Sequence, residues 1–402
     1  MWPAASGIWV VFAALGCGPA PEPKDRPPIP QDFNSTDITR APYVDTPPAP
    51  YVAVPRELIP NSLGTGSGIP VDPNEPALAE SPPPSVARGT GSPADKRLAE
   101  GDAAYARGDY EAAEKAYKTA GDLDKKDPAP IVGAVRARLA KEDVPTDFGG
   151  APESRALDAA IKELKRAIKL DPRYAPAHTE LGRALLVQGK APEAEGALQR
   201  GAELAPNDPE ARSAFGVALL AIGKIDDAVR ELTRSAELAP GDPERQANLG
   251  TALIAAGKTE AAIAAYERSV KLAPNNARTL NDLGTAYLAA GNLVSAVVHL
   301  EAAVARDPKR ATYRSNLGFA WHLRKDLAKA MALYREALAL DDKLGSAWIN
   351  LGNALAQTGK LAEAREAYKK AQAINPSDPR VKAVMEELDA LEGKGPAKAP
   401  PK

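Results

Sequence analysis

Side chains able to do covalent or metal chemistry are few and scattered in this 402-residue chain. The only cysteine, Cys17, has no partner for an intramolecular disulfide. The histidines are His178, His299 and His322, far apart, and no His, Cys and carboxylate cluster has metal-ligand spacing. No phosphate-binding glycine loop follows a strand, and there is no Gly-x-Ser-x-Gly elbow. Acidic residues are abundant, but in helix first turns and on outer faces, as solvated helices require. The sequence therefore predicts no enzyme, no cofactor and no metal. What remains is hydrogen bonding and apolar contact. Amides stand at Asn248, Asn281, Asn316, Asn350 and Asn353, and Phe319, His322 and Ile349 lie among the last of them in the sequence. An amide both donates and accepts, and apolar anchors among amides suit an extended peptide.

The elements that must carry these residues repeat. Glycine recurs at Gly182, Gly216, Gly250, Gly284, Gly318 and Gly352, a step of 34 residues. Chance would place glycine in that register on the order of once in a million. A large apolar residue precedes each, and an alanine follows twelve later, from Ala194 to Ala364. Such a period means a stacked solenoid of helix pairs. Each glycine sits inside a first helix, at a cost of about 1 kcal/mol that close backbone approach can justify. Residues three later (Leu185, Leu219, Leu253, Tyr287, Trp321, Leu355) and sixteen later (Leu198, Leu232, Tyr266, Leu300, Tyr334, Tyr368) fill the seam. Gly189, Gly223, Gly257, Gly291 and Gly359 end the first helices, where positive φ is needed. Prolines at 206, 240, 274, 308 and 376 follow the second helices. Lys325 replaces a turn glycine and Asp342 a proline, without removing a core contact.

This pattern closely resembles the tetratricopeptide repeat family. The resemblance implies an all-α, right-handed superhelical solenoid of eight helix pairs with a capping helix. Six regular repeats cover 175–378, and two diverged ones cover 95–174. In the second, glycine Gly133 and alanine Ala160 are 27 residues apart; the excess falls near 142–156 and reads as an inserted loop. Residues 379–392 form the cap, with Val381, Val384, Leu388 and Leu391 in one apolar stripe and Lys382, Glu386, Glu387 and Asp389 facing away. Residues 393–402 read as a disordered tail.

In the family, first helices line a concave groove, shown by residues six, three and two before the repeat glycine and one, four and five after it. That register places Asn248, Asn281, Asn316, Phe319, His322, Ile349, Asn350 and Asn353 in a partner-binding groove. The residues two before the glycine resemble the asparagine ladder of O-linked N-acetylglucosamine transferases, which grips peptide backbone. No lysine stands three before it, unlike the carboxylate clamp of chaperone-tail-binding members. Trp321 and Trp348 are expected in the core.

The N-terminus carries the second signal. Residues 7–16 form an apolar run too short to span a bilayer, suited to a signal peptide over 1–16. Ala14-Leu15-Gly16-Cys17 resembles the bacterial lipobox, which implies cleavage before Cys17 and its lipidation, although no Lys or Arg precedes it. Residues 18–94 hold 19 prolines in 77 residues, so 17–94 reads as a lipidated cysteine and a disordered tether. As a coil it would span on the order of 50 Å. Gly18, not Asp, favours the outer membrane facing the periplasm by enterobacterial sorting rules.

Formal net charge is −2 with both signs interspersed, so no basic stripe offers itself to nucleic acid. The reading is a noncatalytic scaffold lipoprotein of the bacterial envelope that binds a protein or extended peptide. Two alternatives stand beside it: an assembly factor for a pilus secretin or motility complex, and an accessory to a glycan or peptidoglycan enzyme. No small-molecule substrate is expected.

Overall fold

In the computed structural model the described residues are 85–144, 151 and 153–391. Cys17, the expected signal peptide, most of the expected tether and the tail lie outside them. Every element among the described residues is an α-helix, seventeen in all. They fall in two compact units, which among the described residues are 85–272 and 273–391.

The first unit holds α1 (Pro93–Ala106), α2 (Tyr110–Leu123), α3 (Ala129–Lys141), α4 (Arg155–Leu170), α5 (Ala175–Val187), α6 (Ala191–Leu204), α7 (Pro209–Ala221), α8 (Ile225–Leu238), α9 (Pro243–Ala255) and α10 (Thr259–Leu272). The second holds α11 (Ala277–Ala289), α12 (Leu293–Arg306), α13 (Ala311–Leu323), α14 (Leu327–Leu340), α15 (Gly345–Gln357), α16 (Leu361–Ile374) and α17 (Pro379–Leu391). Odd-numbered helices up to α15 are the first helices of their pairs.

Local chemistry sets the boundaries. Asp208 and Asp242 cap α7 and α9 with their carboxylates, and a proline occupies the first helical position behind each. Turn glycines Gly108, Gly189, Gly223, Gly257, Gly291 and Gly359 have φ between 71° and 79°. Lys325, in the glycine position of its own repeat, adopts φ 66° without glycine's freedom.

The seam is as the spacing demands. An added Cβ at Gly216 would lie 2.5 Å from Leu232 Cγ, and at Gly318 2.8 Å from Tyr334 Cε1. Gly182, Gly250, Gly284 and Gly352 face Leu198, Tyr266, Leu300 and Tyr368 in the same way. Ala194, Ala228, Ala262, Ala296, Ala330 and Ala364 have no exposed surface. Ser235 and Ser269 donate to Pro209 O and Pro243 O at 2.7 and 2.6 Å, so the small residue of the second helix also ties down the start of the first.

Four details depart from the sequence reading. Helix α3 packs against α2 as closely as partners within a regular pair, and less closely against α4. The reason is Tyr117, which fills the space beside both Gly101 and Gly133. The cap α17 buries Val381, Val384 and Leu388, but Leu391 is exposed, and Asp389 accepts from Arg365 at 2.6 Å rather than only facing water. Trp321 and Trp348 are half-buried at the edge of the core; Arg324 and Lys329 lie over the Trp321 ring. The last part of the expected tether is packed: Val86 is 2% exposed and α1 begins at Pro93 behind the cap Ser92.

Candidate functional site

The face lined by the first helices differs between the units. In the second unit it is an amide face. Asn316 Nδ2 on α13 donates to Asn281 Oδ1 on α11 at 2.8 Å, and Asn281 Nδ2 donates to Asp282 at 3.2 Å. Burial raises the Asp282 carboxyl above the usual carboxylate range, against the charge of Arg278. Asn353 on α15 accepts from the Tyr368 hydroxyl at 2.8 Å. Asn316, Phe319, Asn350 and Asn353 are half-buried, each with surface left to offer.

Other residues expected in this groove lie deeper. Asn281 is 2% and Ile349 6% exposed, and Thr179, Ser213 and Ser315 in the same register are buried too. These side chains pack inward: Thr179 Oγ1 stands beside Gly201 of α6, and Ile349 packs with Ala371 of α16 and Val381 of α17. Asn248, in the first unit, is buried and donates to Ser213 Oγ at 3.1 Å. Phe319 and Leu323 are partly buried against a cluster that includes Leu288, Leu300 and Leu317.

His322 is buried beneath this face, with its Nδ1 lacking a partner among the described residues. Burial pushes its pKa below the usual imidazole value, and Lys325 adds to the shift against a bond to Gln357. Its ring lies 6.5 Å from those of Phe319 and Tyr334. The Tyr334 hydroxyl is likewise buried and unpartnered. Elsewhere the tyrosine sixteen after the glycine reaches the residue one after it: Tyr117 to Asp102, Tyr266 to Thr251, Tyr368 to Asn353. Phe319 holds that position before Tyr334 and offers no acceptor.

In the first unit the side chains on the first helices are ionic, which the sequence reading missed. Arg136 on α3 donates to Glu180 on α5 at 2.7 Å, both buried. Burial opposes the Arg136 charge, and Glu180 more than offsets it. Removing either partner would leave a buried charge, typically at a cost of about 3–5 kcal/mol. Further on, Glu210 on α7 lies between Arg183 on α5 and Arg245 on α9. The register rule applied to Gly101 would have found Asp102, one after it; Arg136 stands three after Gly133, a seam position, so the rule passes over it.

At the start of this face lies a stretch of the chain itself. Residues Ser85–Arg88 have no regular secondary structure and run along α1. The Val86 and Ala87 N–H groups donate to Asp102 Oδ2 at 3.1 and 3.0 Å, and the Ser85 hydroxyl donates to the same oxygen at 2.6 Å. The Arg88 guanidinium bonds Asp127 at 2.8 Å and sits 5.0 Å from the Tyr174 ring centre. Burial, opposed by Arg136 and Arg88, leaves the Tyr174 hydroxyl pKa pushed up to about 12.

Among the described residues no group of His, Cys, Asp or Glu could hold a metal ion, and no helix is long and apolar enough to cross a membrane. The arrangement on both faces is one of donors, acceptors and anchors along stacked first helices.

Two family models, each described as tetratricopeptide repeat, match the chain. One matches residues 153–214, 253–317 and 323–388, the other 213–277; together they cover 153–317 and 323–388, more than half of the chain. The chain belongs to the tetratricopeptide repeat family. Among solved structures it is similar to a chain of the APC/C hetero-tetramer Cut9–Hcn1, with TM-score 0.57, 17% identity and 75% of this chain covered. It spans 57% of the length of that chain. It is also similar to pilF of Pseudomonas aeruginosa (TM-score 0.46, 15% identity, 54% of this chain and 98% of that one). YrrB, described as a TPR protein with an unusual peptide-binding site, gives TM-score 0.39 at 20% identity, over 53% of this chain and 100% of that one. At these identities the likeness to Cut9–Hcn1 is one of fold. The comparison with curated proteins gave no match.

Proposed function

We propose that this chain is a noncatalytic scaffold that holds a protein, as an extended segment, against the first-helix face of its repeats. The observation that carries this reading is the row Asn316, Phe319, Asn350 and Asn353. These half-buried amides and one ring recur at matching register positions on successive first helices α13 and α15. Amides there can pair with the main chain of a segment of any sequence, and the ring supplies an apolar anchor. Membership of a family of stacked helix pairs supports the same reading. Asn281, His322 and Ile349 then shape the face from below.

The chain is further proposed to be a lipoprotein of the bacterial envelope, anchored through Cys17 and facing the periplasm from the outer membrane. The support is the sequence before and after that cysteine.

The test of the binding face is a pair of measurements on variants. Asn316→Ala with Asn350→Ala should leave the unfolding midpoint nearly unchanged and weaken partner binding, since each lost hydrogen bond contributes about 0.5–1.5 kcal/mol. Loss of stability with binding intact would make these amides core residues and sink the proposal.

A further inference from the structure

The stretch Ser85–Arg88 is held as a bound peptide is held. Two successive main-chain N–H groups and one hydroxyl converge on a single carboxylate, Asp102. The side chain between them, Val86, is 2% exposed. Two residues further, Arg88 leaves α1 altogether and reaches the entry to α3 at Asp127 and the entry to α5 at Tyr174. Three first helices thus contribute to one extended segment, and its contacts are with main chain, one aliphatic side chain and one guanidinium.

The join to α1 is built differently. Gly89 and Gly91 have φ 70° and 72°, and a Cβ on either would meet nothing within 4 Å. Their need is for backbone freedom, not for space. Asp95, two helical turns before Asp102, accepts from Arg88 N–H at 2.7 Å and Gly91 N–H at 3.2 Å. These bonds hold its carboxyl below the usual carboxylate range, Arg88 N–H most of all. The segment is therefore a strap on a glycine hinge, folded back over the first-helix face.

We propose that the face made by α1, α3 and α5 is a second peptide site, specific for an extended segment with an aliphatic residue followed two positions later by arginine. In this chain its own Val86-Ala87-Arg88 holds the site. A partner bearing the same pattern enters by displacing the strap, so the site opens only to a ligand that competes with it. Extended backbone pairs with Asp102, the aliphatic side chain takes the place of Val86, and the arginine meets Asp127 and Tyr174. This site is separate from the amide face of the second unit and does not depend on it.

The test uses the full chain and a fluorescent peptide, Ser-Val-Ala-Arg-Gly-Thr-Gly, read by anisotropy. Val86→Asp with Arg88→Ala releases the strap and should bind the peptide at least tenfold more tightly than the unaltered chain. Adding Asp102→Asn to the released chain, or replacing the peptide's arginine by alanine, should each weaken that binding at least tenfold. Circular dichroism checks that helix content is kept. If the released variant loses helix, Gly89→Ala with Gly91→Ala serves instead: it strains the hinge and leaves every anchoring side chain in place. A chain that keeps its helix and binds the peptide no better than the unaltered one overturns the proposal, as does binding indifferent to Asp102→Asn. Dimerisation of the released chain without peptide binding would assign the face to self-association and overturn it too.

Discussion

The Tyr117 hydroxyl lies 2.8 Å from Asp102 Oδ1, and the same ring fills the space left by Gly101 and Gly133. A core residue therefore aims the carboxylate that holds Ser85, Val86 and Ala87. Burial and the Asp102 charge together push the phenol well above its ordinary pKa, so it remains a donor. Tyr117→Phe keeps the packing and removes the donor. Global stability should fall by about 1.5–3 kcal/mol, the range for a hydrogen bond to a charged group. Amide exchange at Val86 and Ala87 should quicken more than exchange in α2. Unchanged exchange at those two amides would mean that Asp102 holds its position without the tyrosine.

Lys325 adopts a left-handed conformation that costs an L-residue about 1–2 kcal/mol. Lys325→Gly should relieve it and raise stability in urea unfolding by about 1 kcal/mol, less the added entropy of the unfolded chain. A destabilised variant would show that the Lys325 side chain contributes more than its backbone strain costs.

His322 sets a pH dependence whose sign follows from its lowered pKa. In the unfolded chain it takes up a proton near pH 6.5; in the folded chain it stays neutral to lower pH. The unfolded state then binds more protons, so stability is full above about pH 6.5 and declines as pH falls toward the folded pKa. The slope from this group is at most about 1.4 kcal/mol per pH unit. His322→Gln should flatten that part of the profile between pH 7.5 and 5.5. Parallel profiles for the two proteins would contradict the shift.

For Cys17, the proposed lipoprotein predicts that Cys17→Ser abolishes fatty-acid labelling and moves the protein from membrane to soluble fractions. Unchanged fractionation with an uncleaved N-terminus would remove the anchor from the account.

Much of the fold is legible because its rules are periodic. The step of glycines names both the residue that must be small and, sixteen later, the one that fills its space. Even Lys325 could be assigned a turn from register alone. The site was less legible, for two physical reasons. In the second unit a one-residue difference in helix phase buries Asn281 and leaves Asn316 half-buried, while Asn248, at the phase of Asn316, is buried against Ser213. The strap has no period: it sits in a proline-rich stretch, and its order comes from Asp102, fifteen to seventeen residues after Ser85–Ala87, and from Asp95 and Asp127, which hold Arg88. Composition describes what a segment can bury by itself, not what a distant residue can hold.

The central claim is that a partner lies along the first helices. Photo-cross-linking in cells tests it most directly, with a photoreactive residue placed at Asn350 or Asn316 on the first-helix face. A control position is Val298, exposed on second helix α12. The account predicts a discrete partner adduct from Asn350 and Asn316, reduced by Phe319→Ala, and none from Val298. An adduct from Val298 alone would place the partner on the opposite face and contradict the account.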